Sequence, residues 1–321
     1  MSIKRVLIAN RGEIAVRIAR SCHEAGIETV LTTSLVDRDS MAAEMVDRTI
    51  CIGGPQPARS YLDANLVMQA ALWAGCDAIH PGYGFLSERV VLAQMCEERD
   101  ITFIGPTAAT IGALGDKLEA RRLADAAGTP RLPGSAALPD VAAAVAAAAE
   151  VGYPVLLKAA AGGGGRGMSV AADEPDLRAA FARVSKEARD AFGDGTLYLE
   201  RFVSRARHVE IQVIGDGNGA VYSLGERDCS VQRRYQKVVE EASAVAVPAA
   251  ARRRMKDSAL ALLGSLNYRG AGTVEFLYDL ERDDDYFIEV NARIQVEHPV
   301  TEAVTGEDIV ALQLAVAAEE G

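Results

Sequence analysis

Apolar positions along the chain alternate between two spacings. Arg5–Ala9 and Ile27–Thr33 are short, nearly continuous apolar runs of the length of buried strands. Between them Ile14, Ile18 and Cys22 fall at helical spacing over Ile14–Ala25, and Gly26 closes that helix. Asn10-Arg11-Gly12-Glu13 turns the chain from strand to helix. The strand–helix–strand order continues through Asp77–His80 and Thr102–Ile104. This order predicts an α/β unit of Rossmann-like, doubly wound type with a parallel sheet over residues 1–116. Its first turn lacks the G-x-G-x-x-G spacing, so the pattern does not predict a dinucleotide site.

A second unit, 117–203, opens with a helix over Lys117–Ala127 and a turn through Pro130, Pro133 and Gly134. An alanine-rich helix starts at Pro139-Asp140 and stops at Gly152-Tyr153-Pro154. The strand Val155–Lys158 runs into Gly162-Gly163-Gly164-Gly165-Arg166-Gly167, and a helix over Pro175–Ala191 precedes the strand Leu197–Phe202. The third unit, 204–321, is richer in strands: His208–Ile214, Ala220–Glu226, Gly272–Tyr278 and Tyr286–Val296, with helices at Ala249–Leu266 and Glu307–Ala318. The fold class expected is therefore α/β at the N-terminus, followed by α+β.

Composition narrows the partners. Of the residues, 49% are hydrophobic and 25% charged, a globular profile, and 321 residues exceed one typical core. A formal charge of −11 repels a phosphate backbone, so nucleic acid is not expected as a partner. The N-terminus enters a strand pattern directly, and the alanine run near Val141–Val151 is too short to span a bilayer, so neither a signal peptide nor a membrane association is expected. Five scattered cysteines without a CxxC pair read as reduced thiols of a cytoplasmic protein.

Two segments offer chemistry. The glycine run has little steric restriction and can bring backbone N–H groups to phosphate oxygens, with Lys158 at its entrance; an ordinary flexible loop is the alternative. It is not a G-x-x-x-x-G-K-[ST] loop. The stretch Tyr286–Glu297 alternates strictly, with Glu289, Asn291, Arg293, Gln295 and Glu297 on the polar side as far as the strand persists. A hairpin symmetric about Arg282 puts Glu275 opposite Glu289 and Asn291 opposite Thr273. Facing carboxylates repel, and a divalent cation between them resolves the conflict; a solvated polar sheet face is the alternative.

In chain order, Asn10–Ala15, His80–Glu88, Gly115-Asp116-Lys117, Gly162–Met168, His208–Gln212, Glu226–Ser230, Arg233–Lys237 and Asn291–Pro299 together resemble biotin carboxylase, an ATP-grasp ligase, over the whole chain. The resemblance implies that Lys117, Lys158, Gly164 and Gly165 hold ATP phosphates. It places Glu200, Arg201, Phe202 and Val203 along the adenine pocket, and His208 and Tyr235 beside the nucleotide. Glu275, Glu289 and Asn291 would bind Mg²⁺ (or Mn²⁺). Lys237, Arg293, Gln295 and Val296 would bind bicarbonate, and Glu297 would take its proton. Bicarbonate would attack the γ-phosphate of ATP to give carboxyphosphate and ADP, and the carboxyl group would pass to biotin, a co-substrate carried on a biotin carboxyl carrier protein or domain. A carboxyltransferase component and a homodimeric assembly are further implied partners.

Tyr235 stands where the family commonly has histidine. The family's domain continues past the point where this sequence ends, so the third unit is expected to be incomplete. An ATP- and Mg²⁺-binding fragment without catalysis, or a carbamoyl phosphate synthase-type ligase, are the alternative expectations. His80, His298 and the turn His80–Glu88 are expected to be structural.

Overall fold

The computed structural model describes residues 3–161, 167–233 and 235–319. The N-terminal part runs β1 (Arg5–Ile8), α1 (Gly12–Glu24), β2 (Glu28–Ser34), α2 (Met41–Met45), β3 (Arg48–Gly53), α3 (Ala64–Ala74), β4 (Ala78–His80), α4 (Val90–Glu97) and β5 (Thr102–Phe103). Its strands lie in the order β3-β2-β1-β4-β5, all parallel. α1 buries the expected stripe of Ile14, Ile18 and Cys22, widened by Ala15 and Ala19. α3 starts where the Asp63 carboxylate accepts from Asn65 N and Leu66 N, and stops at Gly75, whose φ of +64° suits a residue without Cβ. The winding direction reverses between β1 and β4, which leaves a crevice at their C-terminal ends. There the buried Asn10 amide donates to Pro81 O (2.7 Å) and Tyr83 O (2.8 Å), pinning the turn 80–88 against β1.

α5 (Ala108–Gly115) and α6 (Lys117–Ala126) lead out of this sheet, and the Asp116 carboxylate between them caps α6 at Leu118 N and Glu119 N. The middle part contains α7 (Val141–Val151), β6 (Val155–Ala159), β7 (Met168–Ala171), α8 (Glu174–Phe192) and β8 (Leu197–Arg201). Its antiparallel sheet, β7-β6-β8, packs under α7 and α8. Their buried core, including Ala144, Leu157, Leu177, Val184 and Leu199, draws only on residues 138–199. The segment 133–138 runs beside β8 and is tied to it by Ser135 N to Leu199 O (2.9 Å) and Arg201 N to Pro133 O (2.8 Å).

The last part runs β9 (Ala206–Asp216), β10 (Val221–Arg233), β11 (Gln236–Ala242), α9 (Ala249–Gly264), β12 (Arg269–Asp279), β13 (Asp284–Asn291), α10 (His298–Thr305) and α11 (Ile309–Ala317). The sheet order is β11-β10-β9-β12-β13, all antiparallel. One face is apolar: Val209, Ile211, Val213, Val274, Phe276 and Val290 pack on Met255, Ala259 and Leu262 of α9. α6 joins this core through Ala124, so the helix opening at Lys117 packs with the third sheet rather than with the middle part. A second shared core couples the two ends of the chain. Ile8, Ile14, Ile18 and Leu31 meet Ile214, Ala271, Ile294, Ile309 and Leu314.

Three expectations need correction. The strand predicted over Tyr286–Val296 stops at Asn291, because Ala292 N donates to the Glu88 carboxylate (3.2 Å) instead of extending the ladder. β10 reaches Arg233, well past Glu226, and pairs with β11, which the apolar pattern did not reveal. The hairpin is centred half a residue off Arg282: Asp279 faces Asp284 and Phe276 faces Phe287, and a one-residue bulge leaves Ile288 unpaired. That bulge restores Glu275 opposite Glu289 and Thr273 opposite Asn291. Without it, alternation from the buried Phe287 would aim Glu289 at the apolar face.

Candidate active site

The face of the third sheet opposite α9 is polar across all five strands. Period two on β9 puts His208, Glu210 and Gln212 on it, and the ladders set Glu210 beside Glu275 on one side and Arg227 on the other. β13 contributes Glu289 and Asn291, and β11 contributes Lys237. Glu275 is the hub. Its carboxylate contacts His208 Nε2 (2.8 Å) and Lys237 Nζ (3.1 Å), and accepts from Asn291 Nδ2 (2.7 Å) and Gln295 Nε2 (3.3 Å). Burial pushes its pKa up, but His208 and Lys237 outweigh burial and leave it below the ordinary range. Glu289 is held low in the same way, burial being overcome by Lys117, 3.2 Å away, and by Lys158.

Lys237 gathers three carboxylates: Glu210, Glu275 and Glu297, the last at 2.6 Å. Burial lowers its pKa and these anions together reverse the shift, keeping it a cation. Arg293 donates from Nε to Glu88 (2.9 Å) and from Nη2 to Asn291 Oδ1 (2.8 Å). Gln295 is buried, whereas Val296 beside it is 60% exposed.

A second cluster faces Glu289 from the middle part. Lys158 and Arg121 share the buried Glu200 carboxylate, Lys158 at 2.9 Å, and both cations lie over the Tyr198 ring. One carboxylate between two cations, with Lys117 nearby, leaves excess positive charge. Burial and then Lys117 accordingly depress Lys158 to about 7. Arg201 donates to Tyr286 Oη (2.6 Å), and Phe202 N donates to Pro154 O (3.0 Å), with Val203 following in the loop. Tyr235 is 54% exposed in the β10–β11 turn. Gly164 and Gly165 lie outside the described residues.

The structure thus brings together Lys117, Lys158, Glu200, His208, Lys237, Glu275, Glu289, Asn291, Arg293, Gln295 and Glu297, and leaves Tyr235 and Val296 facing solvent. Facing carboxylates offset by Lys117, Lys158, Lys237 and His208, with an asparagine alongside, form an oxygen-donor set that fits Mg²⁺. Among the described residues the closest groups of ligand-type atoms are His208–Glu210–Glu275 and Glu210–Cys229–Glu297, so Glu289 stands slightly apart from the tightest cluster. Four contributors were missed in the sequence: Glu210, Arg227, Arg121 and Glu88. Alternation from His208 could have found Glu210; the turn carrying Glu88, expected to be structural, holds Arg293.

Comparison with known proteins fits this geometry. Residues 2–111 match the family model "Biotin carboxylase, N-terminal domain", and residues 116–321 match "Carbamoyl-phosphate synthase L chain, ATP binding domain". Biotin carboxylase 1 of Bacillus subtilis is 48% identical over 316 residues, 98% of this chain and 70% of the relative. The crystal structure of a biotin carboxylase–β,γ-ATP complex from Campylobacter jejuni superposes with a TM-score of 0.96 at 46% identity, covering 99% of this chain and 71% of that one. The biotin carboxylase domain dimer of Hydrogenobacter thermophilus 2-oxoglutarate carboxylase, in complex with MgADP, ADP and bicarbonate, gives 0.95 at 45% identity, covering 99% and 70%. The ATP-binding model alone would also admit a carbamoyl phosphate synthase-type ligase, but the N-terminal model and an identity that extends through both parts do not, and the chain belongs to the biotin carboxylase family.

Proposed function

We propose that this chain carries out the ATP- and bicarbonate-dependent carboxylation of biotin, with the residues above in the following roles. The observation that carries the reading is the position of Lys237, which touches both Glu275 of the oxygen-donor set and Glu297 at 2.6 Å, so that cation, base and metal ligands share one face of the third sheet.

Lys117, Lys158 and the glycine loop at Gly164 and Gly165 hold the ATP phosphates, while Glu200–Val203 line the adenine site and His208 and Tyr235 flank the nucleotide. Glu275, Glu289 and Asn291 hold Mg²⁺, or Mn²⁺, which when bound neutralises charge on the phosphates. Bicarbonate is a planar carboxylate and suits the Arg293 guanidinium, with Lys237, Gln295 and Val296 completing its site. Glu297 takes the proton of the bicarbonate hydroxyl. A bicarbonate oxygen bonds to the γ-phosphorus, the bond to the bridging oxygen breaks, and ADP leaves with carboxyphosphate formed. Two anions approach each other in this step, and Lys117, Lys158, Lys237 and Arg293 offset their repulsion. The carboxyl group then passes to the ureido nitrogen of biotin on a carrier protein or domain as its bond to phosphate breaks, and the departing phosphate takes up the ureido N–H proton; the carboxylated biotin is delivered to a carboxyltransferase. We further propose a cytoplasmic homodimer with units at 1–116, 117–203 and 204–321, the second entered through α6, which packs on the third sheet. Among the described residues no helix is long and apolar enough to cross a membrane.

Purified chain is incubated with ATP and Mg²⁺, with and without bicarbonate, then with free biotin. ADP release that depends on bicarbonate and rises with biotin is expected, and Glu297→Gln lowers it about 10²- to 10⁴-fold. Release indifferent to bicarbonate and equal in E297Q would overturn the reading.

A further inference from the structure

Arg227 on β10 is wholly buried, and all of its donors are engaged. Nε and Nη2 donate to Glu210 Oε2 (3.3 and 3.0 Å). Nη1 donates to Gln212 Oε1 (2.7 Å) and to Thr301 Oγ1 on α10 (2.8 Å). Nη2 also reaches Thr273 Oγ1 (3.3 Å) and Gln295 Oε1 (2.7 Å). One guanidinium therefore joins β9, β12, α10 and the segment that carries Gln295. It touches neither the oxygen-donor set nor Arg293 in any of these bonds.

The geometry points to Arg227 as a positioning residue for bicarbonate, one that fixes which end of the Gln295 amide faces the substrate and holds Glu210 under Lys237. The argument is one of polarity. The two ends of a carboxamide have nearly the same shape and opposite hydrogen-bonding character. A guanidinium only donates, so the end of Gln295 that meets Arg227 must be its oxygen. The NH₂ end is then turned to the polar cluster, where it already donates to Glu275 Oε1 (3.3 Å). An anionic substrate needs donors; a reversed amide would present lone pairs to it. The same Arg227 fork holds Glu210, whose other oxygen pairs with Lys237, so two of the bicarbonate-facing donors, Gln295 and Lys237, are set by one buried cation. A lysine cannot span these acceptors, because an ammonium is a single point with three donors.

This inference rests on the assignment of Gln295 and Lys237 to bicarbonate. The test measures bicarbonate-dependent ADP release by the full chain, with bicarbonate and ATP varied in turn, for Arg227→Lys, Thr301→Val, Gln295→Ala and the pairs R227K/Q295A and T301V/Q295A. R227K is expected to raise the KM for bicarbonate about ten-fold and T301V about three-fold, with the KM for ATP moving less than about two-fold. T301V/Q295A should be no worse than Q295A alone, since without the amide there is nothing to orient, and R227K/Q295A should add less than R227K does in the parent, the remainder acting through Glu210 and Lys237. T301V leaves the buried ion pair intact and carries the test should R227K fail to fold. Equal effects on both substrates, or a T301V/Q295A double as bad as the sum of its singles, would overturn the role of Arg227. Should Q295A raise the bicarbonate KM while R227K and T301V do not, the positioning role alone falls. If Q295A leaves that KM unchanged, the bicarbonate assignment falls and the inference with it.

Discussion

Lys158 shows how a single residue's surroundings write a pH dependence. It shares Glu200 with Arg121 and stands near Lys117, and burial followed by the Lys117 charge lowers its pKa to about 7. A phosphate arriving there supplies the missing anion and raises the pKa, so binding takes up a proton when the free lysine is neutral. Nucleotide affinity should therefore fall as pH rises above 7, by up to about ten-fold per unit. Calorimetry in buffers of different ionisation enthalpy at pH 8 should report net proton uptake. Lys158→Arg, whose guanidinium stays charged, should abolish both the uptake and the slope; an unchanged slope in that variant would move the effect to another group.

At the scale of elements, the sheet that carries the site depends on close approach of its strands to Tyr268. A Cβ at Gly272 on β12 would lie 2.5 Å from Tyr268 Oη and 2.7 Å from its Cζ, and that ring is fully buried. Gly272→Ala should cost about 1–3 kcal/mol, read as a lower midpoint in thermal unfolding; a midpoint matching the parent's would show that the ring can yield. The facing of Glu275 and Glu289 was legible in the sequence because hairpin spacing and period-two alternation are local signals. The bulge at Ile288 that secures it was not, since the turn offers no residue that marks where the extra position falls. Arg227 escaped for another reason: its neighbours come from β9, β12 and α10, whose placement around β10 is a tertiary outcome. The end of β13 at Asn291 was equally hidden, being set by Glu88 from the other end of the chain.

At the scale of the whole molecule, the first and last parts share a core, and His80 sits buried at their seam. Its Nδ1 accepts from Gly82 N (3.0 Å), and Arg17 and His298 are its charged or titratable neighbours. Burial lowers its pKa to about 3, so it stays neutral in the fold. Below about 6.5 the unfolded chain takes a proton that the folded chain refuses, so this contribution is complete above 6.5 and is lost as pH falls toward 3. Between pH 6.5 and 5 the loss from His80 should be about 2 kcal/mol in denaturant unfolding. His80→Asn keeps an acceptor for Gly82 without a titrating ring, and should flatten that limb; an identical limb would assign it to other groups.

The middle part has a different relation to the rest. Its core is confined to residues 138–199, and its entry and exit are joined by the bond from Arg201 N to Pro133 O at 2.8 Å. In topological terms it is an insertion whose two ends meet. A short bridge from Pro133 to Phe202 could excise it without pulling the flanking chain apart, and new termini placed within it would leave the shared core of the other two parts continuous. A part inserted in this way can be gained, exchanged or lost as one piece.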